Sequence, residues 1–345
     1  MYGYLKSALY RGRALHAYHR IRNRRTLTAV MFHRVLPPDD SRWPLSDPEW
    51  TVSARFFDQC LEFFDEHYNL ISTQDLLNLS ESTSDLPDRS LVITFDDGWA
   101  DVSEYGLPAL TRRSLPATVF VVAGEVDGLE PWQEVVRRAW RRDQLTVERL
   151  PWLKNCKALE AGKNSLPLSE WIDFLSGMAF DERSAFLARL RMELNELTPG
   201  QMMSQKQISQ MVASGFQIGS HGLTHTSVPL SPKPWEELSG ARQKLAALLE
   251  KDQDDGPVFF SFPNGQCDSA ALEMAATAGY REIFTSEPCL NALPTQTGVP
   301  MVLGRINIPA KPLSDENGDL RPELLALWLF SRPIRSSGYP GDVSE

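Results

Sequence analysis

A chain of 345 residues exceeds the size at which one hydrophobic core usually stops growing, so its length implies one large α/β domain with an insertion, or two domains. An apolar fraction of 42% with 10% aromatic and 23% charged residues excludes wholesale disorder, collagen and coiled coil. The net charge of −10 argues against a protein that wraps nucleic acid, because polyanion binding needs a basic face.

The charge is unevenly spread. Residues 1–25 hold Lys6, Arg11, Arg13, Arg20, Arg22, Arg24 and Arg25 with no acid, which leaves −17 on the rest of the chain. Tyr4, Leu5, Ala8, Leu9, Leu15, Tyr18 and Ile21 recur between them near helical spacing. Residues 1–26 are therefore expected to form a basic amphipathic arm, either lying on an anionic membrane face or packed against the domain. Arg11 and Arg13 interrupt any apolar core that a secretory signal would need, and no later stretch is long and apolar enough to span a bilayer. The expected location is the cytoplasm, with the arm suited to the inner membrane surface. Cys60, Cys156, Cys267 and Cys289 lie far apart without a CxxC pair, so reduced, mostly buried thiols are expected.

After the arm, Thr28 to Phe32 reads as a strand ending at His33. Ser53 is placed as the N-cap of a helix with Phe56, Phe57, Cys60, Leu61, Phe64 and Tyr68 on one face. Leu91 to Phe95 has the near-continuous apolar character of a strand buried on both sides, and it stops at Asp96-Asp97-Gly98. A strand from Thr118 to Ala123 follows. The segment from about 127 to 203 offers helices around Trp132–Arg141, Ser169–Met178 and Asp181–Leu197 but no strand, and is read as a helical insertion that either shapes substrate access or packs beside the domain. A helix from about Gln205 closes at Gly215, and Phe216 to Ser220 leads into His221. A long helix, Trp235 to Glu250, precedes a strand from Val258 to Phe262 that meets Pro263-Asn264-Gly265. Asp268 caps a helix ending at Gly279, strands near Tyr280 to Thr285 and Val302 to Ile308 complete the set, and 331–345 reads as a loose tail. The alternation predicts a parallel β/α sheet or barrel over residues 27–330.

His33, Asp96, Asp97, His221 and the Pro263-Asn264-Gly265 turn each fall where a predicted strand stops, and in β/α barrels those ends form one catalytic face. Adjacent side chains leaving a strand diverge, so one of the two carboxylates is free to bind a metal while the other takes a proton, although Asp-Gly is also a common turn signal. His221 and His225 stand four apart, and a helical turn there would put both imidazoles on one side. With a carboxylate they make a set suited to zinc and other borderline divalent metals. His33, with an unperturbed pKa near neutrality, suits a general acid if it lies opposite Asp96, and is otherwise structural.

Thr94-Phe95-Asp96-Asp97-Gly98 and Ser220-His221-Gly222-Leu223-Thr224-His225 together resemble the first two motifs of the polysaccharide deacetylase family, the NodB homology domain. Ala117-Thr118-Val119-Phe120, Phe216-Gln217-Ile218-Gly219 and Phe262-Pro263-Asn264-Gly265 extend the likeness over about 28–126 and 204–308. The resemblance implies a distorted or incomplete (β/α) barrel and a divalent metal held by Asp97, His221 and His225, zinc before nickel, cobalt, iron or manganese. It also implies Asp96 as catalytic base and the Asn264 backbone N–H as oxyanion donor, with Pro263, Gly265 and Trp99 beside the substrate. Two departures stand out: Phe260, Ser261 and Phe262 occupy the stretch where the third motif usually carries an arginine, and no histidine follows His225. Met31-Phe32-His33-Arg34-Val35 resembles the amino-terminal histidine motif of the poly-N-acetylglucosamine deacetylase branch, which would make His33 the acid. Arg305, by strand position, is a candidate for the missing positive charge. The implied activity is hydrolysis of N-acetyl groups on an amino-sugar glycan or precursor by metal-activated water. The alternatives are hydrolysis of another ester or amide on the same scaffold, and a carbohydrate-binding protein without catalysis.

Overall fold

The structure is a computed structural model that describes residues 2–81, 86–128, 130–157, 159, 163–194, 201–292 and 300–336. Its centre is a run of parallel strands, β1 (Leu27–Phe32), β2 (Ser90–Phe95), β3 (Thr118–Val121), β4 (Gln217–Ser220), β5 (Phe259–Ser261), β6 (Glu282–Phe284) and β7 (Met301–Leu303), each hydrogen-bonded to the next. Ile306–Asn307, two residues beyond β7, pairs in parallel with Val30 and Met31 of β1. That second pairing ties the far end of the run to its first strand through two residues only, so the sheet curls into the distorted (β/α) barrel that was expected. The expected single strand Val302 to Ile308 is thus two pieces. Gly304 permits the break, since a Cβ there would stand 2.3 Å from Cys289 Sγ and 2.5 Å from the Glu287 carbonyl oxygen. The Asn291 side chain bonds both the N–H and the carbonyl of Gly304, at 2.8 and 2.9 Å.

Every residue of β1 and β2 is buried, as expected of strands covered on both faces. Outside them, the helix Ala54–His67 buries Phe56, Phe57, Cys60, Leu61, Phe63 and Phe64, and the Ser53 hydroxyl accepts the Phe56 N–H at 3.0 Å. Phe57 meets Phe32 and Phe95 with ring centroids 5.1 and 5.6 Å apart. Burying side chains of this size contributes roughly 1.5–3 kcal/mol each. The expected caps at Asp268 and Gly215 are in place, with the Asp268 carboxylate accepting the Ala271 N–H and Gly215 at φ +86°. The long helix expected from Trp235 to Glu250 instead opens with a π-turn, Glu236–Gly240, before Ala241–Leu248.

The insertion carries the helices Trp132–Arg141, Leu168–Ser176 and Phe180–Leu194, and the expected extension of the last to Leu197 lies outside the described residues. It has a small core of its own around Trp132, Val135, Leu153, Trp171 and Leu190. Its last residues return to the barrel mouth, where the Ala100 N–H donates to the Gln201 carbonyl at 2.8 Å and the Met203 N–H to that of Gly98 at 2.8 Å.

The amino-terminal arm is two helices, Tyr2–Arg11 and Ala14–Arg22, separated by Gly12 and by Arg13 at φ +59°, where one helix was expected. It packs on the body. The His19 ring stacks on Phe330 at 3.9 Å, and the Asn23 amide donates to the Phe330 carbonyl at 2.9 Å. Ile334–Ser336 pairs with Leu290–Ala292, which in turn runs antiparallel to β1, so the tail expected from residue 331 is tied to the sheet as far as Ser336. Among the described residues, no helix is long and apolar enough to cross a membrane.

Candidate active site

Strand register assembles the site. Phe32 pairs with Phe95, so His33 and Asp96 leave the sheet side by side, and Ser220 pairs with Phe260, so His221 and Ser261 do the same two register positions further on, since Phe95 is level with Val119 and Ile218. His33, Asp96 and His221 open into a cavity of about 360 Å³ that Asp97, Trp99, His225, Asn264 and Gly265 also line. Pro263 and Arg305 are not among its lining residues.

Asp96 and Asp97 diverge as adjacent side chains must. Asp96 is gripped by Arg305 through two parallel hydrogen bonds, Nη1 to Oδ1 at 2.6 Å and Nη2 to Oδ2 at 2.7 Å. This two-pronged geometry is the strong form of a carboxylate pair. Arg305 is fully buried and also donates to Ser261 Oγ at 2.7 Å and Thr94 Oγ1 at 3.2 Å. Burial alone would raise the Asp96 pKa, and the Arg305 and His221 charges outweigh it, so the carboxyl lies below its ordinary value. A guanidinium therefore does lie against Asp96, supplied from beyond β7 rather than from the third-motif stretch.

Asp97 sits at φ +74°, a left-handed backbone conformation that costs energy for a non-glycine residue and is found at functional sites. Its Oδ2 accepts the Trp99 indole N–H at 2.9 Å. Its Oδ1 lies 3.1 Å from His225 Nε2 and 3.4 Å from His221 Nε2. The opposite ring nitrogens are occupied: His221 Nδ1 donates to the Ser261 carbonyl at 2.8 Å, and His225 Nδ1 donates to Gln133 Oε1 at 2.8 Å. In their neutral forms both imidazoles thus aim Nε2 lone pairs at Asp97 Oδ1, a buried oxygen without a hydrogen-bond partner of its own. Two nitrogens and one oxygen, one from each residue and all within 4.8 Å of one another, fit a divalent cation with open positions for water and substrate. Without a cation, burial pulls the His221 pKa down, but Asp96 and Asp97 together carry it above its ordinary value.

No helical turn joins the two histidines, contrary to expectation. Residues 221–227 form a bent loop with Gly222 at φ +79° and His225 at φ +56°, which brings the rings to 4.9 Å. Buried Glu237 braces that loop, accepting the Leu223 and Thr224 N–H groups at 3.0 and 2.9 Å. His33 is half-buried beside Trp50, with ring centroids 4.5 Å apart, and its inaccessible Nδ1 has no hydrogen-bond partner. Burial lowers its pKa, against the opposing pull of Asp97 and Asp96.

Several positioning residues escaped the sequence reading. Gln133 belongs to the insertion, and besides holding the His225 ring it donates to that residue's carbonyl. Arg34 lies 4.0 Å over the Trp99 ring and forms a buried ion pair with Asp101 at 2.8 Å, so a stacked column stands behind Asp97. Asp47, Glu134 and Arg137 add a charged wall to the cavity. The one available signal was proximity in sequence, for Arg34 adjoins His33 and Asp101 lies four residues after Asp97.

The sequence pattern described as polysaccharide deacetylase matches residues 83–148 and 178–283. A comparison with curated protein sequences finds no match. Among solved structures, the Streptococcus pyogenes deacetylase PplD in complex with acetate is 16% identical at a TM-score of 0.54, over 89% of this chain and 99% of that one. IcaB from Ammonifex degensii is 20% identical at 0.53, over 89% and 97%, and a de-N-acetylase from Aggregatibacter actinomycetemcomitans is 16% identical at 0.51, over 81% and 94%. With the barrel and its rim in place, the chain belongs to the polysaccharide deacetylase family, a family of hydrolases acting on acylated carbohydrate.

Proposed function

We propose that this protein removes N-acetyl groups from an amino-sugar-containing glycan or glycan precursor, with Asp97, His221 and His225 holding a divalent cation, zinc first. The observation that carries this reading is the coexistence, in one cavity, of that ligand set with a second carboxylate kept apart from it by Arg305. When bound, the cation would supply Lewis acidity to the acetyl carbonyl and to the attacking water. Asp96, held ionised by Arg305, takes the proton from that water. The Asn264 backbone N–H faces the oxyanion as the carbonyl carbon becomes tetrahedral. His33 protonates the departing amine as the C–N bond breaks. Burial outweighs the opposing pull of Asp97 and Asp96 and lowers the His33 pKa, so its protonated form is a stronger acid than a free imidazolium. Acetate and a free amino sugar result.

The charged wall of Asp47, Glu134 and Arg137 favours a second reading, hydrolysis of a differently acylated sugar on the same scaffold. We assign the cytoplasmic face of a membrane as the place of work, on the strength of the basic arm. Acetate release from N-acetylglucosamine oligomers by metal-loaded protein, with Asp96→Asn alongside, tests the proposal. Release that disappears in the variant supports it. Release only from other members of a panel of N- and O-acetylated sugars supports the second reading, and release from none points to carbohydrate binding without catalysis.

A further inference from the structure

Away from the barrel mouth, a second group of metal-binding side chains collects where the arm meets the body. His16, in the arm helix Ala14–Arg22, faces Glu66 and His67 at the end of the helix Ala54–His67. One ligand atom from each lies within 4.8 Å of the other two. His16 Nε2 is 3.6 Å from Glu66 Oε1, and the two imidazoles meet edge-on with centroids 4.1 Å apart.

The polar atoms here are under-used. His16 Nδ1 and His67 Nδ1 are both buried and lack hydrogen-bond partners, an arrangement that is costly unless something else occupies them. The other His67 nitrogen, Nε2, lies 3.1 Å from the Tyr10 hydroxyl. When Nε2–H donates to that oxygen, the lone pair of His67 falls on the unpartnered Nδ1. A neighbour that fixes one ring nitrogen so that the other is free to ligate is the usual support for a metal-bound histidine. Burial, followed by the proximity of His16, lowers the His67 pKa to about 4, which keeps this ring neutral. The Glu66 side chain is 59% exposed and leaves the group open to solvent on one side, so a cation has an entry path and a water can complete its shell.

We infer that His16, Glu66 and His67 form a second divalent-cation site, of zinc-type ligand chemistry, that clamps the amino-terminal helix pair to the barrel. One ligand comes from the arm and two from the body, so a bound ion cross-links them. The inference is independent of the catalytic reading.

The test uses the full chain, stripped with a chelator and reloaded with zinc, and counts retained metal by mass spectrometry after desalting. Wild type is expected to retain two zinc ions per chain, Glu66→Gln and His16→Gln one each, and His221→Ala one. The His16→Gln/His221→Ala double variant is expected to retain none. Glu66→Gln changes an exposed group, so folding is preserved and circular dichroism verifies it. In the His221→Ala background, zinc should slow trypsin cleavage after Arg11 and Arg13 at least several-fold, and Glu66→Gln should abolish that protection. Equal zinc content in wild type, Glu66→Gln and His16→Gln would overturn the inference. Loss in those two variants with none in His221→Ala would uphold it and sink the catalytic-metal reading instead.

Discussion

Asp96 and Arg305 form a buried, two-pronged ion pair at the floor of the candidate site. Arg305 is fully buried, so its removal leaves an uncompensated buried charge, and Arg305→Met is expected to cost roughly 3–5 kcal/mol of stability in urea unfolding. Its kinetic effect has a definite sign. The pair holds the Asp96 pKa below its ordinary value, so if Asp96 is the base, as proposed, the acidic limb of the kcat/KM profile is expected at low pH in wild type. In Arg305→Met, burial is no longer opposed by that charge and the limb should move upward. An unmoved limb would remove Asp96 from the role of base. His33 makes a separable prediction: His33→Ala should lower turnover by roughly 10²–10⁴-fold with retained metal unchanged, because this ring is not in the ligand set. Unchanged turnover would eliminate it as the acid.

Among elements, the helix Trp132–Arg141 is part of the wall of the candidate site, for Gln133 bonds the ring of His225 and Glu134 and Arg137 line the cavity. Gln133→Ala should weaken zinc affinity about 10–100-fold in competition with a chelating dye, the usual effect of losing an outer partner of a metal-bound histidine. Gln133→Glu keeps the acceptor and should retain most of the affinity. Equal affinity in wild type and Gln133→Ala would mean that the insertion only packs beside the site. The loop from Asp96 to Ala100 is held from the same side by Gln201 and Met203, so both ends of the insertion reach the barrel mouth.

For the molecule as a whole, charge is segregated: a basic arm rests on an acidic body. The arm is anchored through His19 and Asn23, yet Leu5 and Ile21 remain 56% and 80% exposed among its basic residues. Binding to anionic vesicles is expected to fall with salt, and the triple variant Lys6→Glu/Arg11→Glu/Arg20→Glu should lose it. Near an anionic surface each basic residue contributes about 1 kcal/mol, so three removals weaken binding by roughly 100-fold or more. Cosedimentation measures this, and equal binding by the variant would leave the arm with a packing role alone.

The strands, the caps at Ser53 and Asp268 and the clustering of polar residues at strand ends were legible in the sequence, because burial on both faces leaves unbroken apolar runs and capping chemistry is local. The family motifs around Asp96 and His221 were legible for the same reason: each is a short contiguous segment. Long-range pairings carried no such mark. Arg305 is 209 residues from Asp96 and Gln133 is 92 from His225, and nothing in either neighbourhood announces its partner. The split of the last strand at Gly304, which ties the run to its first strand and turns Arg305 inward, depends on how closely the Glu287 to Asn291 backbone approaches. The placement of His16 against Glu66 and His67 depends likewise on how the arm docks. Composition and periodicity report what each segment must bury, whereas these contacts arise from register and packing between segments, which exist only once the chain has closed on itself.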